Sequence, residues 1–265
     1  MPADPAAATQ ALLDVMARLR DPVAGCPWDQ VQDFASIAAY TVEEAHEVAD
    51  VIRSGPEPGP LQDELGDLLL QVAYHARMAE ERGWFAFGDV ARHVAEKMIR
   101  RHPHVFGAAE IPDAAAQSEA WERTKAAERA ARAETGALAG VAPGLPALTR
   151  AVKLTRRAAR VGFDWPDAAA VLDKLEEEAA ELRRELPGAD QARLADELGD
   201  LLFVLANLAR KLDLDPETCL AAANAKFTRR FEAVEAALAA RGQSPQDTPL
   251  AEMEAEWTAA KRRGL

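Results

Sequence analysis

One acidic pattern occurs twice in the sequence and constrains the fold more than any other feature. It consists of a glutamate cluster followed further along by Glu-Leu-Gly-Asp, at residues 43–47 with 64–67 and again at 177–181 with 197–200. Residues three or four positions apart share one face of an α-helix. Two such helices packed antiparallel would therefore bring four carboxylates together. Because clustered anions repel one another, the pattern predicts a site for cations.

The type of ligand in this pattern narrows the choice of cation. Clusters that offer only carboxylate oxygens suit Mg²⁺ or Mn²⁺, which keep bound waters and share a substrate's phosphates. At about 100° per residue, Glu197 lies ~60° and Asp200 ~120° from the centre of an apolar stripe on the same predicted helix. That stripe is formed by Leu194, Leu198, Leu201, Leu205, Leu208 and Leu212. A carboxylate at the edge of a buried face needs a partner, although a solvated acidic helix face is the alternative interpretation.

The order of motifs repeats beyond the acidic clusters, which indicates an internal duplication. The segment 135–146 is rich in glycine and proline and separates the two copies, so we predict domains at 1–136 and 137–265. No sustained alternation typical of strands is present, and we expect an all-α fold. The matching features are Trp28 with Trp165, Glu44 with Glu178, Asp67 with Asp200, 97–101 with 226–230, and Trp121 and Lys125 with Trp257 and Lys261.

The charge balance limits the partners of the chain. The formal net charge is -13, so the long-range field repels phosphates, and we expect no direct binding to nucleic acid. No apolar run approaches the length of a membrane span, and the N-terminus has no signal-peptide pattern. Cys26 and Cys219 have no metal-ligand spacing. We therefore expect a cytoplasmic protein without membrane contact.

Basic, amide and aromatic side chains near the second acidic cluster fit a substrate that carries phosphates. Lysine and arginine can clamp phosphate oxygens beyond a metal ion, and tryptophan can stack on a base. Exposed charge and core packing are the respective alternatives. The candidates are Lys226, Arg229, Arg230 and Lys261 for phosphates, Asn224 for a sugar or phosphate, and Trp165 and Trp257 for a base.

Several short motifs carry a family resemblance when they are taken together. They are the tandem acidic repeats, Gly-Cys-Pro-Trp-Asp at 25–29, Arg-Arg-His-Pro-His-Val-Phe at 100–106 and Val-Gly-Phe-Asp-Trp at 161–165. In this combination the chain closely resembles the MazG family of the all-α NTP-pyrophosphatase superfamily. The resemblance implies tandem helical domains whose four-helix-bundle cores are completed by formation of a homodimer. It also implies Mg²⁺-dependent hydrolysis of NTPs and dNTPs to monophosphate and pyrophosphate, in nucleotide-pool cleansing or the stress response.

The resemblance further implies roles for individual residues. Glu177, the first of the glutamate pair, is a candidate to orient or deprotonate the attacking water. Because Ala95 and Met98 replace the Asn and Phe of the family's Asn-x-Lys-Phe-x-x-Arg motif, we expect the C-terminal copy to be the main catalytic site. The implied metal ligands are Glu178, Glu181, Glu197 and Asp200, and in the first copy Glu44, Glu47, Glu64 and Asp67. The implied substrate-binding residues are Asn224, Lys226, Arg230, Trp257, Lys261 and Trp165, and in the first copy Lys97, Arg101 and Lys125.

Two other functions remain compatible with the acidic residues alone. A di-iron carboxylate oxidase in a four-helix bundle requires Glu-x-x-His from two helices. Glu43 and His46 supply one such motif, but Ala180 stands where the second copy would need histidine. An acidic helical scaffold without catalysis is the second alternative, and it would not be stabilised by Mg²⁺ and nucleotide.

Overall fold

All regular elements in the described residues are helical, which confirms the predicted all-α class. The computed structural model describes residues 4–109, 136–188 and 190–265 and, between 109 and 136, residues 111, 113, 116, 117, 120, 121, 124 and 128. The chain divides into two compact units, Met1–Thr124 and Lys125–Leu265, called the N-terminal and C-terminal units below. The domain boundary after residue 136 stays a prediction. Among the described residues, no helix is both long enough and apolar enough to cross a membrane.

The helices of the two units follow the same order. Those of the N-terminal unit are α1 (Pro5–Leu19), α2 (Pro27–Gln30), α3 (Phe34–Arg53), α4 (Pro58–Glu81), α5 (Phe87–Arg101) and α6 (Pro103–Phe106). Those of the C-terminal unit are α7 (Ala147–Ala159), α8 (Ala168–Glu185), α9 (Gln191–Lys211), α10 (Pro216–Ala239) and α11 (Leu250–Arg262), with short 3₁₀ turns at Leu186–Gly188 and Pro245–Asp247. The sequence of 113–132 also predicts a helix, but this segment lies mostly outside the described residues.

In the N-terminal unit, the acidic pattern lies on the helical hairpin formed by α3 and α4. Asp33 caps α3 by accepting a hydrogen bond of 2.8 Å from the main-chain N of Ser36, and the Ser36 hydroxyl accepts one of 2.9 Å from the N of Asp33. Ser36, whose side chain is also typical of an N-cap, therefore lies in the first turn of the helix. Gly55 has a φ of 97° in the connection between the two helices, a conformation that favours glycine.

The N-terminal hairpin is held by a small apolar core. Helix α1 packs against α4, and the side chains of Met16, Ile37, Tyr74 and Met78 form the buried cluster. The hydroxyl of Tyr74 donates a hydrogen bond of 3.1 Å to the main-chain oxygen of Asp29. The core therefore also fixes the short helix α2, which carries Trp28.

In the C-terminal unit, α8 and α9 form the equivalent hairpin. Asp167 caps α8 by accepting a hydrogen bond of 2.9 Å from Ala170 N, and Asp190 caps α9 through Ala192 N at 3.0 Å. Helix α7 packs on α9 and α11 packs on α10. The buried apolar side chains of these helices are Ala151, Val171, Val204, Ala206, Val234, Leu238 and Ala260.

Different residues tie the tryptophan-bearing loop to the end of the second hairpin helix in each unit. In the N-terminal unit, Arg20 donates to the main-chain oxygens of Asp29 at 2.6 Å and Gln32 at 3.2 Å and forms an ion pair of 2.7 Å with Glu81. In the C-terminal unit, the Asp164 carboxylate binds Arg210 at 2.5 Å and Lys211 at 2.7 Å. The duplicated architecture is therefore kept by contacts that have diverged.

The leucine stripe on α9 lies in two different environments. Leu201 and Leu208 are partly buried, but Leu198, Leu205 and Leu212 are 51%, 44% and 52% exposed. The face that packs within the chain is instead centred on Val204, which is 4% exposed. Only part of the stripe is thus buried within this chain, and α9 presents a second apolar face outward.

Candidate active site

The hairpin of the C-terminal unit brings three of the predicted metal ligands together. Glu178 on α8 and Glu197 and Asp200 on α9 each offer a carboxylate oxygen, and these oxygens lie within 4.8 Å of one another. Glu178 is buried, Glu197 is partly buried and Asp200 is exposed. The group therefore runs from the interior of the unit to its surface. Such a graded arrangement of oxygen ligands can hold a hard divalent cation that remains open to a substrate.

The electrostatics of this cluster follow from the crowding of its carboxylates. Burial raises the pKa of Glu197, and the negative charges of Glu181, Glu178 and Asp200 raise it further. Both causes disfavour the ionised form. Glu181 lies outside the group of three, but its effect on Glu197 indicates that it is close. A bound cation would relieve this repulsion.

Glu178 has one carboxylate oxygen that the protein leaves available. Its side chain forms an ion pair of 2.7 Å between Oε1 and the Nζ of Lys174. The other oxygen, Oε2, is buried and has no hydrogen-bond partner among the described residues. An unsatisfied buried carboxylate oxygen is costly, so this atom fits a metal ligand. Sequence reasoning missed Lys174, although its position one helical turn before Glu178 was a usable signal.

The N-terminal unit repeats the acidic geometry. Carboxylate oxygens of Glu44, Glu47 and Glu64 lie within 4.8 Å of one another. Burial raises the pKa of both Glu44 and Glu64, and the next largest causes are the charge of Asp67 on Glu44 and that of Glu47 on Glu64. Asp67 is outside the group of three but acts on two of its members. Glu44 and Glu64 correspond to Glu178 and Glu197, but the third member of the group is Glu47 in the first copy and Asp200 in the second.

A second group of predicted residues lies on α10 and α11. The rings of Phe227 and Trp257 are 5.3 Å apart between centroids, and the guanidinium of Arg230 lies 5.7 Å from the Trp257 centroid. Arg230 also donates a hydrogen bond of 2.6 Å to the main-chain oxygen of Leu265. Asn224, Lys226 and Lys261 are exposed. The partly buried Arg230 thus lies beside an aromatic ring, and Lys226 and Lys261 are exposed on the same two helices.

The remaining predicted residues occupy more varied positions. Glu177 is exposed and pairs with Lys174 at 2.8 Å. Trp165 is partly buried, and its main-chain oxygen accepts a hydrogen bond from Lys211. In the N-terminal unit, Lys97 and Arg101 are partly buried, whereas Lys125 lies outside the described residues.

The fold and this site define a class of protein: an all-α chain with two helical hairpins, each of which gathers carboxylates that could hold a cation. The profile of the MazG nucleotide pyrophosphohydrolase domain matches residues 32–106 and 167–234. These two matches contain both hairpins, and the chain belongs to the MazG family.

Curated relatives are similar over nearly the whole chain. The nucleoside triphosphate pyrophosphohydrolase of Escherichia coli (strain K12) is 46% identical over 256 residues, which are 96% of this chain and 97% of the relative. The protein named nucleoside triphosphate pyrophosphohydrolase/pyrophosphatase MazG from Thermotoga maritima is 39% identical over 251 residues, 94% of each chain. A nucleoside triphosphate pyrophosphohydrolase of Mycobacterium tuberculosis is 33% identical over 215 residues, 77% of this chain and 64% of the relative.

Proposed function

We propose that the protein is a divalent-metal-dependent nucleoside triphosphate pyrophosphohydrolase that releases pyrophosphate and leaves the nucleoside monophosphate. The observation that carries the proposal is the convergence of Glu178, Glu197 and Asp200 within 4.8 Å, in a family whose domain acts on nucleotides. The names of the relatives support the same reaction. NTPs and dNTPs are the proposed substrates, and we expect a role in nucleotide-pool cleansing or the stress response.

The donor set favours Mg²⁺, with Mn²⁺ as an alternative. The proposed ligands in the C-terminal unit are the carboxylates of Glu178, Glu181, Glu197 and Asp200, and Oε2 of Glu178 is buried without a hydrogen-bond partner in the described chain. Carboxylate oxygens without nitrogen or sulfur ligands suit a hard cation. When bound, such a cation polarises the phosphoryl oxygens of the triphosphate and acidifies a water molecule.

The chain's own residues supply the remaining chemistry. Glu177 accepts a proton from the attacking water, whose oxygen bonds to the α-phosphorus while the bond to the bridging oxygen breaks. Lys226, Arg230 and Lys261 neutralise the charge that develops on the leaving pyrophosphate. Asn224 contacts the sugar or a phosphate, and Trp257 or Trp165 stacks on the base. Trp257 already contacts Phe227 and Arg230, which fixes its ring beside a cation.

The N-terminal unit is proposed to bind metal as well, but with fewer side chains that can contact a substrate. Glu44, Glu47, Glu64 and Asp67 are the proposed ligands, and Lys97, Arg101 and Lys125 the proposed phosphate contacts. Ala95 and Met98 stand where the C-terminal unit has Asn224 and Phe227. Because an amide and an aromatic ring are missing there, we assign the main catalytic role to the C-terminal unit.

We also propose that the four-helix-bundle cores are completed by a homodimer. Helix α4 exposes Leu65, Leu69 and Val72, and α9 exposes Leu198, Leu202 and Leu205 at the equivalent positions, each 38% to 51% exposed. A Cβ added to the adjacent Gly66 or Gly199 would meet nothing within 4 Å in this chain. Outward apolar stripes on helices bury themselves against another helix, and a glycine lets a partner helix approach closely.

The reaction is tested by identifying its products. ³¹P NMR of an NTP incubated with the protein and Mg²⁺ should show the nucleoside monophosphate and pyrophosphate as the first products. EDTA should abolish their formation. A panel of NTPs and dNTPs, ordinary and damaged, then defines the substrate range. Formation of the nucleoside diphosphate and inorganic phosphate as the initial products would contradict the proposal. Full turnover in EDTA would also contradict it.

A further inference from the structure

The acidic cluster of the C-terminal unit contains its own cations. Lys174 lies one turn before Glu178, and its Nζ is 2.7 Å from Glu178 and 2.8 Å from Glu177. The guanidinium of Arg184 is 2.9 Å from a carboxylate oxygen of Glu181. Two proposed metal ligands and the proposed base therefore each have a positively charged partner on their own helix.

The N-terminal unit has neither of these cations at the equivalent positions. When Glu44 is aligned with Glu178, Tyr40 corresponds to Lys174 and Asp50 corresponds to Arg184. Asp50 is itself paired with Arg53. The duplication thus provides two related acidic clusters, of which the C-terminal one has cations at these two positions and the N-terminal one has Tyr40 and Asp50.

We propose that Lys174 partly neutralises the C-terminal cluster through Oε1 of Glu178, so that a divalent cation at the free Oε2 must overcome the repulsion of the ammonium group in order to bind. The N-terminal cluster, with Tyr40 at that position, takes up a divalent cation directly. This inference rests on the metal sites assigned under the proposed function. It assigns Lys174 a positioning role: it sets the order in which metal and substrate bind.

The burial of the partners makes Lys174 the dominant cation. The side chain of Glu178 is 7% exposed and that of Lys174 is 28% exposed, so their charges are poorly screened by water. A buried carboxylate needs a cationic or hydrogen-bonding partner, and the ammonium group supplies one at Oε1 while it repels a second cation at Oε2. Arg184 is 70% exposed, and its ion pair with Glu181 should contribute less.

A nucleotide that binds together with its divalent cation should reduce the repulsion between Lys174 and the metal ion. The phosphates of the nucleotide offer the ammonium group of Lys174 an alternative anionic partner. The metal can then occupy Glu178 without facing an adjacent positive charge. The C-terminal cluster should therefore bind free metal weakly and metal–nucleotide complex well, whereas the N-terminal cluster should bind free metal without a nucleotide.

The test is a titration of the full chain with Mn²⁺, in which the EPR signal of the free ion measures how much Mn²⁺ is unbound. The Glu64→Gln substitution should abolish Mn²⁺ binding at the N-terminal cluster. Binding measured in this variant therefore reflects the C-terminal cluster. In that background, Lys174→Gln should tighten Mn²⁺ binding by about tenfold or more, because the competing charge is removed. Arg184→Gln should produce a smaller increase. The matched control is Arg241→Gln, which removes a positive charge paired with Glu256 at 2.5 Å and contacts no acid of the cluster.

Tyr40→Lys tests the same inference in the N-terminal cluster, so the conclusion does not depend on correct folding of Lys174→Gln. In a Glu197→Gln background, which reports the N-terminal cluster, Tyr40→Lys should weaken Mn²⁺ binding by about tenfold or more. Unchanged or weaker binding in Lys174→Gln, with no effect of Tyr40→Lys, overturns the inference while leaving the proposed function intact. If Mn²⁺ binds to neither background, the metal assignment itself is wrong and the inference fails with it.

Discussion

Glu178 on α8 and Glu197 on α9 each bring a carboxylate oxygen to within 4.8 Å of the other, together with one from Asp200. Two helices that are stabilised by an apolar core are thus used to hold like charges close together. Proximity of this kind lowers stability unless a cation is present. The stability of the metal-free protein should therefore show how strongly these carboxylates repel one another.

Replacement of Glu197 should stabilise the metal-free protein at neutral pH. Burial and the neighbouring carboxylates raise the pKa of Glu197, so the folded state holds the Glu197 proton more tightly than the unfolded state. Stability therefore rises as the pH falls through the raised pKa towards the ordinary value of about 4.3. In EDTA, Glu197→Gln should melt above the wild type at pH 7.5, and the difference should shrink near pH 5. A variant that melts below the wild type at neutral pH would show that the repulsion is absent.

The guanidinium of Arg230 should be needed for tight binding of the triphosphate. Arg230→Lys keeps the charge but loses the planar donor pair, so we expect KM for an NTP to rise by about tenfold. The kinetic constants should be measured at saturating Mg²⁺. Arg262→Lys, on α11, is the matched control and should leave KM unchanged. Equal KM values for Arg230→Lys and the wild type would remove Arg230 from the substrate site.

The exposed leucine faces should hold the proposed homodimer together. A Leu69→Glu/Leu202→Glu double variant places a charge on both faces, where burial would be costly, and should sediment as a monomer. Both residues must be changed because each unit presents its own face, with exposures of 45% for Leu69 and 46% for Leu202. Leu250→Glu, at a site that is 67% exposed outside these faces, should leave the sedimentation coefficient unchanged. A monomeric wild-type protein would contradict the assignment.

Truncation of Leu238 should test the core of the C-terminal unit. Its side chain is 0% exposed on α10, and Leu238→Ala should cost about 2–5 kcal/mol of unfolding free energy, seen as a lower urea midpoint. Leu220→Ala is a control on the same helix, where the side chain is 50% exposed, and its effect should be much smaller. Equal effects of the two variants would mean that α10 packs differently.

Helix type and order were predictable because the periodicity of the sequence is strong. The bounds of α5 can be read from the sequence, since the glycine after α4 and the proline after His102 delimit this helix. The start of α4 is harder to predict, because its first three residues are Pro-Gly-Pro, which is typical of a loop. Helix α4 nevertheless begins at Pro58, since proline is favoured in the first turn of a helix.

The parts of the site that sequence reasoning missed depend on contacts between residues far apart or on charge pairs that are common. Asp164 binds Arg210 across 46 positions, and no local pattern encodes that pair. Lys174 and Glu178 form an ordinary helical charge pair, which usually has no functional meaning. An apolar stripe also looks the same whether it is buried within one chain or against another, so the exposure of Leu198 was not predictable.

The assignment of catalysis to the C-terminal cluster is tested most directly by pyrophosphate release from an NTP in two matched variants. Asp200→Asn and Asp67→Asn remove the same charge from equivalent positions of the two Glu-Leu-Gly-Asp motifs. At saturating Mg²⁺, Asp200→Asn should lower kcat by a factor on the order of 10² or more, while Asp67→Asn keeps most of the activity. Full activity in Asp200→Asn, or a larger loss in Asp67→Asn, would contradict the account.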